Sequence, residues 1–205
     1  MNKAYIFCNN NYKNFNLDIK LDGLIIAADG GANYLQRQDL KPDVIIGDMD
    51  SINSKARSEF VNTKIIEYSA DKDFSDTELA IRYCLQNNLS DITIINSVDG
   101  ALSHTLANLF IIENYLDKGK FRLYNKNSDV YFIKNEIVVK TEIDDKISLI
   151  PISKSVFVEK TDGLKFALHN ENLGRASSRG ISNRAKRDKI FVKIKSGILL
   201  LIRQL

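Results

Sequence analysis

The chain is poor in cysteine and has no long apolar run. Its 205 residues include two cysteines, Cys8 and Cys84, far apart and both in apolar surroundings. That spacing excludes a disulfide framework and a cysteine-ligated metal site, and reads as reduced core thiols of a cytoplasmic protein. No apolar run reaches the ~18 residues of a membrane-spanning helix, so no membrane role is expected. The opening "MNKAYIFCNN" enters a strand-like run directly and lacks a secretory h-region, again pointing to the cytoplasm. Internal repeats and low-complexity segments are absent. Neither a G-x-x-x-x-G-K-[ST] loop nor a G-x-G-x-x-G fingerprint occurs, which removes two familiar phosphate-binding signatures. No Cys or Ser is positioned as a nucleophile for covalent catalysis.

The composition that remains, 44% hydrophobic and 27% charged, is that of a globular protein with a sizeable core. The net charge of +3 hides a division. Residues 1–119 carry 11 Lys/Arg against 17 Asp/Glu, and residues 120–205 carry 18 against 9. The texture divides at the same place. Up to Gly119, short apolar runs ("AYIFCN", "GLIIAAD", "DVIIGD", "KIIEYS", "DITIINS") alternate with helical patterns ("GANYLQRQ", "NSKARSEFV", "SDTELAIRYCLQNN", "LSHTLANLFIIENYL"). Such alternation predicts a Rossmann-like α/β domain, a parallel sheet with helices on both faces. Ser75-Asp76-Thr77-Glu78 has the pattern of a capping box, fixing the start of the third helix. From Lys120 onward, "FRLYN", "DVYFIKN", "EIVVKTE", "KISLIPI", "SVFVEKT", "KIFVKIK" and "GILLLIRQL" are short and β-rich. They predict a C-terminal antiparallel β-sandwich over 120–205, after an α/β domain over 1–119. The lysines of this second part are scattered along alternating strands as on a solvated face, so no nucleic-acid partner is expected.

The acidic residues are placed unevenly. Asp29 ends one predicted strand; Asp48 and Asp50 follow another, in "IIGDMDSI". Asp71, Asp73 and Asp76 follow a third and Asp99 a fourth. In open parallel sheets, ligands bind outside the carboxyl ends of the strands, so one rim would collect all of these carboxylates. Crowded carboxylates repel and raise one another's pKa unless a hard cation joins them. Mg²⁺ is suited to that role, commonly shared with substrate phosphates. The glycines of "DGGAN", Gly30 and Gly31, open a helix whose N–H groups would be available to phosphate oxygens.

Five segments then resemble the thiamine pyrophosphokinase (thiamine diphosphokinase) family, in that family's order: "ADGGANYL" (28–35), "PDVIIGDMDSI" (42–52), "KDFSDTELAI" (72–81), "HTLANL" (104–109), and "TDGLKFAL" (161–168) with "SSRGISN" (177–183). The resemblance implies an α/β catalytic domain followed by a β-sandwich. It also implies transfer of the pyrophosphoryl group of ATP to the thiamine hydroxyl with release of AMP, and a homodimer whose active site is shared between subunits. By this resemblance Asp48, Asp50 and Asp76 would hold Mg²⁺. Asp29, Asp73 and Asp76 would form the catalytic acidic rim, with Asp73 a candidate acceptor for the hydroxyl proton. Gly30, Gly31 and Asn33 would line the phosphate path, and His104 would keep the place of the family histidine. Phe166 stands where the family has an aromatic, and Ser182 and Asn183 match its Ser-Asn pair near the thiamine pyrimidine. An aromatic face suits a cationic thiazolium or a flat pyrimidine.

One segment departs from that pattern. The family's Gly-Gly-Arg-x-Asp-His run reads Asp99-Gly100-Ala101-Leu102-Ser103-His104 here. The arginine is replaced by Ala101 and the aspartate by Ser103. Lys72 and Arg179 are the candidate substitutes, and Arg179 is preferred because a guanidinium engages two phosphate oxygens at once. Lys72 has a plainer alternative, pairing with its acidic neighbours Asp71 and Asp73. The departure leaves two other readings open: a diphosphokinase for a pterin-type alcohol, and a non-catalytic module binding thiamine or nucleotide.

Overall fold

Five apolar strands and a sixth beside them form a parallel sheet: β1 (Lys3–Phe7), β2 (Leu24–Ala28), β3 (Val44–Gly47), β4 (Lys64–Glu67), β5 (Asp91–Ile95) and β6 (Lys120–Asn125). The computed structural model describes all residues but 1, 11, 14, 16 and 99, and it separates into two compact units, residues 1–126 and 127–205. In the first unit the strand order is β6-β5-β1-β2-β3-β4, so the chain reverses direction of travel between β1 and β5. Four helices connect the strands: α1 (Gly31–Arg37), α2 (Ser54–Glu59), α3 (Asp76–Gln86) and α4 (Leu102–Glu113). Tyr5, Phe7, Ala27, Ile45 and Ile95 point to one face and pack with Tyr34 and Leu35 of α1 and with Ala56 of α2. The alternate residues Ile6, Ile26, Ile46 and Ile94 are fully buried on the opposite face, as the strand period of two requires. Helix α3 buries Leu79, Ala80, Ile81 and Cys84 and contacts β1, β2 and β3.

The start of α3 follows only half of the expected capping box. Ser75 is the N-cap and accepts from the Glu78 N–H at 3.2 Å. Glu78 does not reach back, because its carboxylate accepts the Tyr115 hydroxyl at 2.8 Å.

The second unit is antiparallel throughout. One sheet runs β12 (Asn183–Arg184), β9 (Lys146–Pro151), β14 (Leu199–Gln204), β7 (Ser128–Ile133). The other runs β11 (His169–Gly174), β10 (Ser155–Asp162), β13 (Lys189–Ser196), β8 (Glu136–Lys140). Ile147, Leu149, Leu199 and Leu201 of the first sheet and Val156, Val158, Val192 and Ile194 of the second share one core. The division falls after Lys126 and not near Gly119. The segment "KFRLYN" has the β-rich texture of the second unit, yet it pairs parallel with β5, from Asp91 with Lys120 to Ile95 with Tyr124.

Candidate active site

The carboxyl ends of β1, β3 and β5 open onto a cleft of about 590 Å³ at the reversal point between β1 and β5. Cys8, Asn9, Asp48, Lys72, Asp76, Gly100, Ala101 and His104 are among the residues that line it. Asp29, Asp48 and Asp50 each bring a carboxylate oxygen within 4.8 Å of the other two. This converging group shares Asp48 and Asp50 with the expected ligand trio and has Asp29 as its third member. Asp76 turns instead to Lys72, whose ammonium lies 2.8 Å from its Oδ1 and 3.1 Å from Asp48 Oδ2. The contact to Asp76 is an ion pair without hydrogen-bond alignment, since Oδ1 is buried and unpaired by that stricter measure. The plainer pairing of Lys72 with Asp71 and Asp73 is not the one the fold makes. Asp73 is exposed at the cleft, and Asp99 lies outside the described residues.

The environment separates the two neighbouring carboxyls Asp29 and Asp48. Burial pushes the Asp29 carboxyl up; the Asp76 charge adds to this, while hydrogen bonding from Ser51 and Gly30 opposes it. The Lys72 ammonium holds the Asp48 carboxyl below its usual value. Burial of Lys72 works against its charge, but the neighbouring carboxylates of Asp76 and Asp48 outweigh this and raise its pKa. One Asp29 oxygen, Oδ1, is buried with no hydrogen-bond partner. An orphaned carboxylate oxygen within reach of two further carboxylates fits a hard divalent cation.

The D-x-D loop owes its shape to residues around it. Met49, between the two aspartates, takes φ 65°, a left-handed conformation uncommon for a residue with a side chain. Arg57 of α2 donates to the Met49 carbonyl at 2.7 Å. Asn33 donates to the Ser51 carbonyl at 2.8 Å and accepts the Asn53 N–H at 2.9 Å. Asn33, expected on the phosphate path, thus has its amide committed to this loop. Gly30 and Gly31 also answer to packing. A Cβ on Gly31 would stand 2.0 Å from the Phe7 carbonyl oxygen, and one on Gly30 would meet the Asn9 side chain at 2.3 Å. Helix α1 has seven residues, and the Ala32 and Asn33 N–H groups close onto the Asp29 and Gly30 carbonyls.

Gly47, just before Asp48, escaped the sequence reading. Its φ is +152°, and an added Cβ would lie 2.8 Å from Asp29 Cβ and 3.1 Å from Asp76 Oδ1. The glycine lets these two carboxylates close in over the end of β3. The signal was present, a glycine ending an apolar strand directly before D-x-D.

The remaining candidates belong to the second unit. Phe166 is 61% exposed. Arg179 is paired with Glu171 and also largely exposed. Ser182 is exposed with φ 56°, and Asn183 is buried. Of the two candidate cations, Lys72 is the one within the acidic cleft.

Profiles of two domains match the chain in this order: thiamin pyrophosphokinase, catalytic domain, over residues 16–127, and thiamin pyrophosphokinase, vitamin B1 binding domain, over residues 134–199. The chain belongs to the thiamine pyrophosphokinase family. A thiamine pyrophosphokinase of Bacillus subtilis is 29% identical over 185 residues, covering 88% of this chain and 86% of that one. Thiamine pyrophosphokinase 1 of Arabidopsis thaliana is 28% identical over 204 residues, covering 86% and 76%. The crystal structure of the Bacillus subtilis thiamine pyrophosphokinase superposes with a TM-score of 0.86 at 23% identity over 98% of each chain, a likeness of fold. For a thiamine pyrophosphokinase family member, the missing arginine at Ala101 stands out: the cleft has Lys72 beside its carboxylates and no arginine among its lining residues.

Proposed function

We propose that this chain is a thiamine diphosphokinase that takes the diphosphoryl group of ATP in the acidic cleft and delivers it to the thiamine hydroxyl, releasing AMP. The observation that carries the reading is the convergence of Asp29, Asp48 and Asp50 at the rim of a family-matched catalytic domain. These three would hold Mg²⁺, with Asp76 beside them. The cation, when bound, would neutralise phosphate charge and draw the phosphates toward the carboxylates. The chain's own work is positioning. Asn33 and Arg57 fix the loop that presents Asp48 and Asp50. Lys72 supplies a positive charge among the lining residues of the cleft, and Asp73, exposed there, would accept the hydroxyl proton. Transfer then needs an in-line approach of the hydroxyl to the β-phosphorus and little covalent chemistry from the protein. His104, exposed on the α4 rim, is available to phosphate or ribose. Incubation with ATP, Mg²⁺ and thiamine, followed by chromatography, tests the reading: equal amounts of AMP and thiamine diphosphate are expected. Product only with a pterin alcohol, or binding without AMP release, would replace it.

Lys72 is proposed as the stand-in for the missing arginine. Lys72→Ala is expected to raise the apparent KM for ATP about tenfold or more, on the ~1.5–3 kcal/mol scale of hydrogen bonds to charged groups. Arg179→Ala should leave it within about threefold, in keeping with an exposed ion pair. Steady-state kinetics at saturating thiamine decides, and the reverse ranking returns the role to Arg179.

Thiamine is proposed to bind in the second unit around Phe166 and Ser182, and the active enzyme to be a homodimer joining the acidic cleft of one copy to the Phe166 turn of the other. Two features favour a partner copy. Leu102, Leu106 and Phe110 are exposed along one stripe of α4, and the two parts of the chain carry opposite net charge. Mixed Asp50→Asn and Phe166→Ala chains should recover activity that neither has alone. Full activity in a monomer, seen by sedimentation, would defeat the dimer. Free, buried Cys8 and Cys84 favour a cytoplasmic setting.

A further inference from the structure

Phe166 presents an exposed ring on a turn whose backbone is tied down at several points, with both polar groups of Phe166 itself paired. The turn carrying it is closed at its base by Thr161, whose N–H donates to the Leu168 carbonyl at 2.9 Å and whose hydroxyl accepts the Leu168 N–H at 2.8 Å. Lys165 N–H donates to the Arg184 carbonyl at 2.8 Å, and the Gly163 carbonyl accepts from Lys186 N–H at 2.7 Å. At the tip, both backbone polar groups of Phe166 go to one side chain. Asn183 Oδ1 accepts the Phe166 N–H at 3.0 Å, and Asn183 Nδ2 donates to the Phe166 carbonyl at 2.8 Å. The same Oδ1 also accepts the N–H of Arg184 at 2.8 Å. Asn183 is 3% exposed.

An amide with three of its four hydrogen-bonding positions filled and only 3% of its surface exposed has one N–H left and little reach with which to read a ligand. It has the geometry of a backbone mimic. It pairs with Phe166 as a strand residue would, beside the backbone bridge between Leu164 and Ala185. Ser182, its neighbour, is driven into the left-handed region at φ 56° and stays exposed. Strain of this kind persists only where the surroundings over-determine it. We infer that Asn183 is a positioning residue: it clamps the Phe166 turn so that the exposed ring is a preformed platform for a flat, cationic aromatic ligand. Direct polar contact with that ligand falls to Ser182. Preorganisation of the platform lowers the ordering cost of binding. Lys165, with its ammonium 5.5 Å from the ring centroid, occupies the ring's face in the absence of ligand and must yield it.

The inference rests on the thiamine reading only for the identity of the ligand. Two measurements on the full chain separate the parts. First, Phe166→Trp supplies a single fluorophore, since the chain has no tryptophan; its anisotropy should fall most when Asn183→Ala is added and by an intermediate amount with Asn183→Asp, which keeps both accepting bonds but sets a carboxylate oxygen against the Phe166 carbonyl. Second, Asn183→Ala and Phe166→Ala should each weaken thiamine binding without nucleotide by roughly ten- to a hundredfold. The double variant should be no more than about twofold worse than Phe166→Ala alone, because both remove one platform. The KM for ATP should hardly change in any of them. Losses that add in the double variant, or unchanged anisotropy in Asn183→Ala, overturn the clamp. Phe166 variants that bind thiamine normally refute the ligand reading instead, and the anisotropy then judges the clamp alone. If Asn183→Ala does not fold, Asn183→Asp carries the cycle, with an intermediate loss expected.

Discussion

Asp50→Asn is expected to lower turnover at least ~10²-fold, the range seen when an electrostatic stabiliser of a transition state is removed. The substitution keeps the shape of the side chain, and its amide oxygen can still accept the Ser51 hydroxyl that now lies 2.9 Å from Asp50 Oδ1. What it removes is one charge from three carboxylates whose oxygens converge within 4.8 Å. Without a cation those charges repel, so the melting temperature of the metal-free variant should match or exceed that of the parent. With Mg²⁺ or Mn²⁺ added, the parent should gain stability by mass action and the variant much less. Turnover at saturating ATP, with Mn²⁺ affinity from water-proton relaxation, decides the matter. A variant with full activity and full Mn²⁺ affinity would remove Asp50 from the metal site and make the loop an ordinary polar turn.

Gly47→Ala should fail in a different way, by crowding. The backbone at φ +152° disfavours any side chain, and the new methyl would stand 2.8 Å from Asp29 Cβ. Overpacking of this kind costs about 1–3 kcal/mol, which for a chain of this size means a fall in Tm of roughly 2–4 °C per kcal/mol. Asp29 is the group that must move, so Mn²⁺ affinity should drop by about tenfold or more together with the loss of stability. The two variants thus separate charge from shape: Asp50→Asn loses metal binding with Tm preserved, and Gly47→Ala loses both. Parental Tm and affinity in Gly47→Ala would mean that the carboxylates do not depend on the glycine's openness.

Much of the fold is legible in the residues, and the parts that are not share a cause. Each strand and helix expected in the first unit is present, because apolar runs buried on both faces and amphipathic helices differ in period. "HNENLG" escaped notice as β11, since four of its six residues are either exposed or polar at the surface and no apolar alternation marks it. It is held as a strand by pairing with β10 rather than by an apolar pattern of its own. "KFRLYN" had the right structure and the wrong sheet, because a strand's composition does not state its neighbour. At the site, the sequence showed which carboxylates gather at the rim but not which of them meet. That depends on the left-handed turn at Met49 and on Lys72, which draws Asp76 aside. Asn33 and Asn183 were expected to face ligands. An asparagine's letter says that it will make hydrogen bonds, and only the fold says with what.

The cysteines have a last consequence. Cys8 is a buried lining residue of the cleft with its sulfur 3.4 Å from the Thr77 hydroxyl, and Cys84 is buried in α3. Burial pushes both thiols up to about 12. At neutral pH both thiols are then protonated, and a buried, protonated thiol is a poor nucleophile. A thiol reagent therefore sees this protein only in the moments when a piece of it opens. The rate at which each cysteine is captured is a clock for its own region, one at the end of β1 lining the cleft and one within α3.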